Sequence, residues 1–392
     1  MPGRVLMAAY HFPPSGAVAA QRAHKFARYL PDFGWTPLVV SRRPEALHPR
    51  DDSFSGMPAP SELLDPFEWS RWLGHLPRGW VDPVRRYLCL PDPETGWRRL
   101  LQRRLREWVD REHPDVLWAN SVPTGSLVAA AAVARATSVP LVLDFHNEWT
   151  RNMYYRPSTP RHDAEHHRLE REVIQAAKVV ITLNPMHTED LRARFPGVRV
   201  ETIENGCDPG DYDVAPPDPS RRPIVLTYAG TVYGHQSPMP FLRALAGTGR
   251  RDVEVRVLGD SFGQFAAGTW PFKVTAEGHR RHRDLGGIFS ASSAFFLCLE
   301  PPAVRQLPAK LYEYLRAGRP TFGIVPRDGA AERWIRQHGA GDAVDSASPD
   351  LWTPSLVRFL DRLASYLPPS PEPFFRRAQT GALAAILDEA RR

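Results

Sequence analysis

The sequence predicts two tandem α/β domains, each built on a parallel β-sheet with helices on both faces. Short, continuously apolar segments recur along the chain, amphipathic segments of helical length separate them, and the alternation is interrupted once. Apolar runs of this kind are typical of strands buried on both faces, as the strands of parallel sheets are. The length of 392 residues also suits two domains better than one.

Six predicted strands belong to the N-terminal half of the chain. The clearest helical segments between them are AAQRAHKFARYL and EHHRLEREVIQAA, whose apolar residues recur at the spacing of one helix face. We predict a first domain over residues 1–205. Its strands are residues 5–10, 36–41, 115–121, 141–146, 179–184 and 198–203.

A stretch rich in Pro, Asp and Gly then interrupts the alternation, and we predict a linker over residues 206–222. Further apolar segments predict a second domain over residues 223–368, and one more helix is predicted within residues 369–392. The apolar segments of the second domain are IVLTYAG, VEVRVLG, FKVTAEG, AFFLCLE and TFGIVP.

The composition narrows the classes of function. Cys89, Cys207 and Cys298 are too widely spaced for a disulfide framework or a metal-binding pair, which favours a cytoplasmic location. The longest apolar run, residues 127–134, is too short to span a bilayer, and no signal-peptide pattern is present. A net charge of +6 suits anionic ligands in general. No nucleic-acid-binding module is recognised, so we expect no nucleic-acid partner.

One basic region leaves two interpretations open. Residues 67–108 intersperse tryptophans with arginines, as amphipathic helices that lie on anionic membranes do. That interpretation predicts peripheral attachment to the inner face of the membrane. The alternative, which we favour, is a pair of helices that covers the first domain and turns its arginines to solvent.

Ligands of open α/β sheets bind at the carboxyl ends of the strands, so we searched the turns that follow predicted strands. The first turn contains Ser15 and Gly16 ahead of a helix. A glycine there lets a ligand approach the backbone, and the free N–H groups of a helix start attract anions. A plain strand-to-helix turn is the alternative. The GxGxxG fingerprint of dinucleotide-binding proteins is absent.

A polar cluster follows the fourth predicted strand, where Asp144, His146, Asn147 and Glu148 stand together. Buried polar groups are costly unless they are satisfied, so such a cluster after an apolar strand is unusual. His146 is a candidate for proton transfer or for donation to a ligand oxygen. A structural network that holds the loop is the alternative. Asn120, at the end of the preceding strand, is a candidate hydroxyl-binding residue.

Two turns of the second predicted domain also carry candidate residues. One follows the strand IVLTYAG, and the other follows FKVTAEG and continues into a basic segment that suits a nucleotide or a solvated helix start equally well. The candidates in these turns are Gly230, Tyr233, His235, Gln236, Gly278 and His279.

The segment RQLPAKLYEYLRAGRP, residues 305–320, predicts a helix that begins near Pro308 and ends at Gly318. Lys310 and Glu313 are neighbours on one face of it. As a surface ion pair they would contribute only about 0.2–0.5 kcal/mol. A lysine beside a helix N-terminus suits a diphosphate, and a carboxylate one turn further can accept two ribose O–H groups at once.

These segments, taken in order, resemble glycosyltransferase family 4. The resemblance extends over nearly the whole chain and is carried by YHFPPSG, LPDPETGW, DVLWANSVPTGS, VPLVLDFHNEW, IENGCD and KLYEYLRAGRPTFGIVP. It implies the GT-B fold, in which two Rossmann-like domains face each other across a deep cleft and the C-terminal helix crosses back to the first domain. The first domain would then lie on the acceptor side and the second would bind a nucleotide sugar.

The resemblance also implies roles for individual residues. Gly16 and Lys310 would lie near the donor diphosphate, Glu313 would bind the ribose, and the loop at Gly278 and His279 would approach the base. Gly230 would belong to the same nucleotide site. Residues expected near the donor sugar or the acceptor are Asn120, Asn147, Glu148, Tyr233, His235, Gln236 and Glu300.

Several positions depart from the family pattern. Arg305 stands where many members have a glutamate that contacts the donor sugar, and the next acid upstream is Glu300. His146 and Asn147 replace an arginine and an aspartate of the commoner motif. We predict that His146, Arg305 and Lys310 act in catalysis, with Arg305 and Lys310 meeting the diphosphate charge, and that specificity is unusual.

The activity implied is retaining transfer of a sugar from a nucleoside diphosphate sugar to a hydroxyl acceptor, with no metal or other cofactor. The acceptor class stays open between a glycan, a lipid-linked acceptor and a specialised metabolite. Two alternatives remain. One is a nucleotide-sugar epimerase or isomerase on the same fold, and the other is a sugar-nucleotide-binding protein with impaired catalysis.

Overall fold

The computed structural model describes residues 2–15, 18–43, 61–66, 89–232, 236–259 and 269–392. Contacts divide the chain into two compact units, which we call the first unit and the second unit. The first comprises Met1–Glu204 together with Arg376–Arg392, and the second comprises Asn205–Phe375.

The first unit contains a seven-stranded parallel sheet in the order β3-β2-β1-β4-β5-β6-β7. Its strands are β1 (Gly3–Ala9), β2 (Trp35–Arg42), β3 (Glu62–Leu64), β4 (Val116–Asn120), β5 (Leu141–Phe145), β6 (Val179–Thr182) and β7 (Val200–Thr202). Its helices up to this point are α1 (Val18–Tyr29), α2 (Thr95–Glu112), α3 (Thr124–Thr137), α4 (Pro160–Ala176) and α5 (Pro185–Arg194).

The second unit contains a six-stranded parallel sheet in the order β10-β9-β8-β11-β12-β13. Its strands are β8 (Ile224–Ala229), β9 (Val253–Leu258), β10 (Lys273–Ala276), β11 (Ala294–Cys298), β12 (Thr321–Val325) and β13 (Gly341–Asp345). Its helices are α6 (Met239–Gly247), α7 (Leu285–Ala291), α8 (Lys310–Arg316), α9 (Ala330–Gln337) and α10 (Trp352–Asp361).

The last helix, α11 (Arg376–Ala390), belongs to the first unit although the second unit precedes it in the chain. Leu383 and Leu387 are fully buried in the same hydrophobic cluster as Phe26 of α1 and Val5 of β1. This packing follows from the apolar face of the helix, because those leucines are one turn apart. The predicted return of the C-terminal helix is confirmed.

The predicted fold class, two α/β domains with parallel sheets, is confirmed, and every predicted strand is present. Two strands escaped prediction, β3 and β13. Both lie at the edge of a sheet, and β3 has only three residues while β13 reads GDAVD. Edge strands are covered less completely than central ones, so they need no continuous apolar run and leave a weaker pattern in the sequence.

Residues 206–222, predicted as the linker, are grouped by their contacts with the second unit. The backbone N–H of Cys207 donates to the Phe374 carbonyl at 3.0 Å, and Tyr212 is 8% exposed. The Asp213 carbonyl approaches Gly286 of α7 so closely that a Cβ on that glycine would overlap the oxygen. This stretch is therefore part of the surroundings of α7 and α8.

Helix α2 forms the described part of the tryptophan- and arginine-rich region. Trp97 is fully buried, where its indole N–H donates to Ser126 at 2.9 Å, and Trp108 is 8% exposed. The arginines pair with acids on the outer face, as Arg106 does with Asp110. These contacts are those of a helix that covers the first unit. Within the described ranges, no helix has both the length and the apolar character needed to cross a membrane.

The adjacent glycines of α7 give a matched test of the Asp213 contact. We expect Gly286→Ala to destabilise the protein by about 1–3 kcal/mol, the usual cost of overpacking. Gly287→Ala meets nothing within 4 Å, so it should be neutral or stabilising by up to about 1 kcal/mol, since alanine favours helix. Urea unfolding of the two variants measures the difference. Equal midpoints would contradict the packing described here.

Candidate functional site

Three glycine turns converge at the carboxyl ends of the second unit's strands. Gly230 follows β8 and Gly259 follows β9, with φ of 129° and 104°. A Cβ on Gly259 would lie 2.6 Å from the carbonyl group of Gly230, and the Gly259 N–H donates to the Gly278 carbonyl at 2.6 Å. Only glycine tolerates both the positive φ and the close approach. The predicted residues Gly230 and Gly278 are thus brought to one region.

Lys310, the first residue of α8, extends to the same turn. Its Nζ lies 3.7 Å from the centre of the Tyr228 ring and 3.5 Å from Oε1 of Gln236. A Cβ on Gly230 would come within 2.9 Å of that Nζ, so the glycine makes room for the ammonium group. The structure therefore brings together three of the predicted residues, Gly230, Gln236 and Lys310.

The surroundings of Lys310 are uncharged, and this sets its acid–base behaviour. Burial lowers the pKa of Lys310 to about 7, because little solvent reaches the ammonium group. Its Nζ contacts an aromatic ring and an amide oxygen. The Tyr228 hydroxyl donates to the same Gln236 oxygen at 3.1 Å and holds the amide in place. An anion placed here would restore the charged form of the lysine.

Glu313 lies one turn along α8 and is half-buried. Its Oε2 accepts a hydrogen bond from the Tyr212 hydroxyl, and Oε1 has no hydrogen-bond partner among the described residues. The Tyr212 ring packs under the Arg316 guanidinium at 4.2 Å, and Arg316 donates to the carbonyls of Pro209 and Tyr212. The carboxylate is thus held from one side, and its other oxygen is available to a ligand.

Four functional candidates were not predicted from the sequence. They are Tyr212, Arg316 and the neighbouring pair His282–Asp211. His282 Nε2 lies 3.1 Å from Asp211 Oδ2, both side chains are about 9% exposed, and the His282 ring meets Tyr212 edge-on. Burial and Glu313 raise the pKa of Tyr212 well above its usual value, so its hydroxyl stays a donor. The one sequence signal was an aromatic residue inside the predicted linker.

The remaining second-unit candidates lie in the loops that follow β10 and β11. Glu300 is exposed after β11, and Arg305 is half-buried on the loop that leads into α8. His279 follows Gly278 and is exposed. Tyr233 and His235 lie outside the described residues, as does Gly16 of the first unit.

In the first unit, Asp144 proves to be part of a buried ion pair. Its Oδ2 accepts from Nε of Arg22 at 2.8 Å, and both side chains are fully buried. Arg22 also donates to the carbonyls of Ile203 and Glu204 at 2.9 and 2.8 Å. Burial raises the pKa of Asp144, and Arg22 opposes that shift. The pair therefore anchors the segment that leaves β7.

His146 is held by the same region. Its backbone N–H donates to the Ser121 hydroxyl at 2.8 Å. Burial lowers its pKa well below the usual value, with Arg22, Arg376 and His11 adding to the effect. The side chain is therefore neutral near pH 7, and its buried Nε2 has no hydrogen-bond partner in the described part of the chain. A neutral imidazole of this kind can orient a ligand by one hydrogen bond.

A cavity of about 480 Å³ opens beside this cluster, within the range of small-molecule sites, roughly 300–1,000 Å³. It is lined by the ends of β1 and β2, the loop before α2, the β4–α3 turn, the β5–α4 loop and His166 of α4. The predicted residues Asn147 and Glu148 line it. Asn120 is 1% exposed nearby in the chain, with Oδ1 unpartnered among the described residues.

The fold and the two sites define the class of protein. Two parallel Rossmann-like sheets, the returning C-terminal helix and the solved structures that share this arrangement identify the GT-B fold, the architecture of many glycosyltransferases. Residues 19–211, just under half of the chain, match the sequence model of Glycosyltransferase Family 4. This region of the chain belongs to that family, and the predicted family and fold are confirmed.

Solved structures agree in fold at low sequence identity. Sucrose-phosphate synthase from Thermosynechococcus elongatus is 13% identical with a TM-score of 0.65, over 99% of this chain and 97% of that one. A glycosyltransferase from Rickettsia africae is 12% identical with a TM-score of 0.64, over 99% and 98%. HepE of Anabaena in complex with UDP is 14% identical with a TM-score of 0.63, over 99% and 100%. No curated protein sequence matches the chain.

The environment of Lys310 gives a direct spectroscopic prediction. The chain has four lysines, Lys25, Lys178, Lys273 and Lys310, so ¹³C-lysine labelling gives few Cε signals. The signal that disappears in Lys310→Gln should titrate with a midpoint of about 7. A midpoint above 9 would show that the ammonium group is well solvated or paired with an acid, contrary to the geometry described.

Proposed function

We propose that this protein transfers a sugar from a nucleoside diphosphate sugar to a hydroxyl acceptor, with retention at the anomeric carbon. Family membership and fold support glycosyl transfer in general. The observation that carries the donor assignment is α8, which presents Lys310 at its first residue and Glu313 one turn later. HepE, similar in fold, was solved with UDP and with UDP-glucose, which is consistent with this donor class.

Lys310 is the residue proposed to meet the diphosphate. Its ammonium group contacts an aromatic ring and an amide oxygen, neither of which neutralises its charge. Fixed positive charge lowers a barrier most where negative charge develops, and here that place is the departing diphosphate. Arg305, on the loop leading into α8, is proposed to add to this charge. Gly230, Gly278 and His279 are proposed to border the nucleotide.

Glu313 is the residue proposed to bind the ribose. A carboxylate can accept from both ribose hydroxyls, and Tyr212 holds Oε2 so that the group is already oriented when the nucleotide arrives. Preorganisation of this kind reduces the entropy lost on binding. The proposed second domain, residues 223–368, thus depends on a tyrosine from the predicted linker, residues 206–222.

The proposed chemistry needs no covalent intermediate and no metal. The bond between the anomeric carbon and the diphosphate oxygen breaks, and a bond to the acceptor oxygen forms on the same face. The acceptor hydroxyl passes its proton to the departing phosphate oxygen. His146, neutral at pH 7, is proposed to orient a hydroxyl by hydrogen bonding instead of acting as an acid. The first unit would supply the acceptor side.

Loss of Glu313 should weaken nucleotide binding. We expect Glu313→Ala to raise the Kd for UDP or another nucleoside diphosphate about 10- to 100-fold, since hydrogen bonds to a charged group contribute about 1.5–3 kcal/mol. Isothermal titration calorimetry measures it. Glu372→Ala, a change to an exposed acid of the second unit, should bind as the wild type does.

A second variant separates orientation from contact. Tyr212→Phe keeps the ring but removes the hydroxyl that holds Glu313. It should weaken nucleotide binding about fivefold, near the 1 kcal/mol of one hydrogen bond. Wild-type affinity in Glu313→Ala, across a panel of nucleoside diphosphates that the wild type binds, would overturn the assignment of the ribose site.

The pKa of Lys310 predicts proton uptake on binding. Since a diphosphate favours the charged lysine, its pKa should rise above about 7 in the complex. At pH 8 the free protein holds Lys310 mostly neutral, so nucleotide binding should take up close to one proton. Calorimetry in buffers of different ionisation enthalpy counts the protons. An uptake that is unchanged in Lys310→Gln would contradict the proposed diphosphate contact.

A further inference from the structure

The first-unit cavity is lined by several polar side chains that bear on the acceptor. Asp92, Glu94 and Glu148 contribute three carboxylates to the described lining, whereas Arg42 contributes one guanidinium. Arg42 is 8% exposed, and it already donates to the Tyr10 hydroxyl. Carboxylate oxygens accept hydrogen bonds, so this part of the wall suits a ligand that carries O–H or N–H groups.

The same cavity is rich in aromatic rings. Tyr10, Phe145, Trp149, Tyr154 and Tyr155 all line it. Aromatic rings pack well against the C–H faces of a saturated ring, while carboxylates and amides accept or donate hydrogen bonds at its hydroxylated edge. Hydroxylated rings, such as sugars and cyclitols, present both surfaces at once.

One contact fixes a hydrogen-bond donor in the wall. The Trp149 indole N–H donates to Nδ1 of His166 at 3.0 Å. Indole nitrogen is only a donor, so Nδ1 must carry a lone pair and the proton of the neutral imidazole resides on Nε2. Nε2 has no hydrogen-bond partner among the described residues, and His166 lines the cavity. Burial, with His162 and His167, lowers the pKa of His166, which supports the neutral form.

We propose that the first-unit cavity binds the acceptor, that the acceptor is a hydroxylated ring, and that Nε2–H of His166 donates to one of its oxygens. This inference rests on the proposed function only where it calls the ligand an acceptor. Binding of the ring in the cavity does not depend on the proposed function. Sugars and cyclitols are rings of this kind.

Saturation-transfer NMR on the whole protein without nucleotide tests the ligand class. The probes are methyl α-glucoside, myo-inositol, methyl glucosaminide and glucose 6-phosphate. We expect saturation transfer to at least one of these hydroxylated rings. The absence of saturation transfer to all of them would overturn the proposal.

Variants of His166 separate a ligand contact from a structural role. His166→Asn keeps an acceptor for Trp149 near the position of Nδ1, but its side chain is too short to reach the position of Nε2. The Kd for the hydroxylated ring should therefore rise about three- to tenfold. His166→Gln, whose longer amide can donate there, should recover part of the affinity. His167→Asn is the matched control, because His167 is exposed on the same helix and contacts Asp163.

A change at Trp149 tests whether its indole N–H fixes the tautomer of His166. Trp149→Phe keeps an aromatic ring but removes the N–H that holds His166, and it should weaken ring binding. Trp352→Phe is the control, since it removes an indole N–H that donates to Asp345 in the second unit. Wild-type ring affinity in both His166→Asn and Trp149→Phe would overturn the role of His166.

The outcomes for this inference and for the proposed function are distinguishable. Ring binding that depends on His166 in a protein that binds no nucleoside diphosphate would support the cavity and refute the transferase. Turnover whose acceptor KM is unchanged in His166→Asn would support the transferase and refute the cavity assignment. An increase in the KM for the acceptor, with the donor KM unchanged, would support both.

Discussion

Two parallel sheets covered by helices on both faces leave little room for polar groups except at the ends of their strands. Charged side chains inside either layer would lose their hydration without compensation, so the fold confines them to turns and helix starts. The buried Arg22–Asp144 pair shows the cost of an exception, because Arg22 must also reach two backbone carbonyls to be satisfied. Both candidate sites therefore arise where strands stop.

Lys310 stands in a position that the folded protein alone does not favour. Its ammonium group faces an aromatic ring and an amide, and burial depresses its pKa, so the free protein bears a desolvation penalty there. An anionic ligand would relieve that penalty on arrival. Functional sites often retain such unfavourable arrangements, and the glycine at position 230 is the local feature that permits this one.

Periodicity and helix stop signals are local, so they were sufficient for eleven of the thirteen described strands and for the placement of Lys310 and Glu313 on one helix. The return of the last helix was instead implied by the resemblance to a family. The sequence was insufficient for Tyr212, which lies 101 residues from Glu313 in the chain and sits in a stretch without periodicity. The contact between Trp149 and His166 was not predicted either, for a related reason. Nothing in the spacing of a tryptophan and a histidine reports which ring nitrogen carries the proton.

The return of α11 to the first unit has a consequence for biosynthesis. Leu383 and Leu387 complete a core that Val5 and Phe26 begin, so that core spans nearly the whole length of the chain. The first unit can close only after Arg376–Arg392 has emerged from the ribosome, whereas Asn205–Phe375 is continuous and is synthesised earlier as one piece. The first unit, whose synthesis begins first, is therefore completed last. Until α11 packs against it, part of the apolar surface of the nascent first unit stays uncovered.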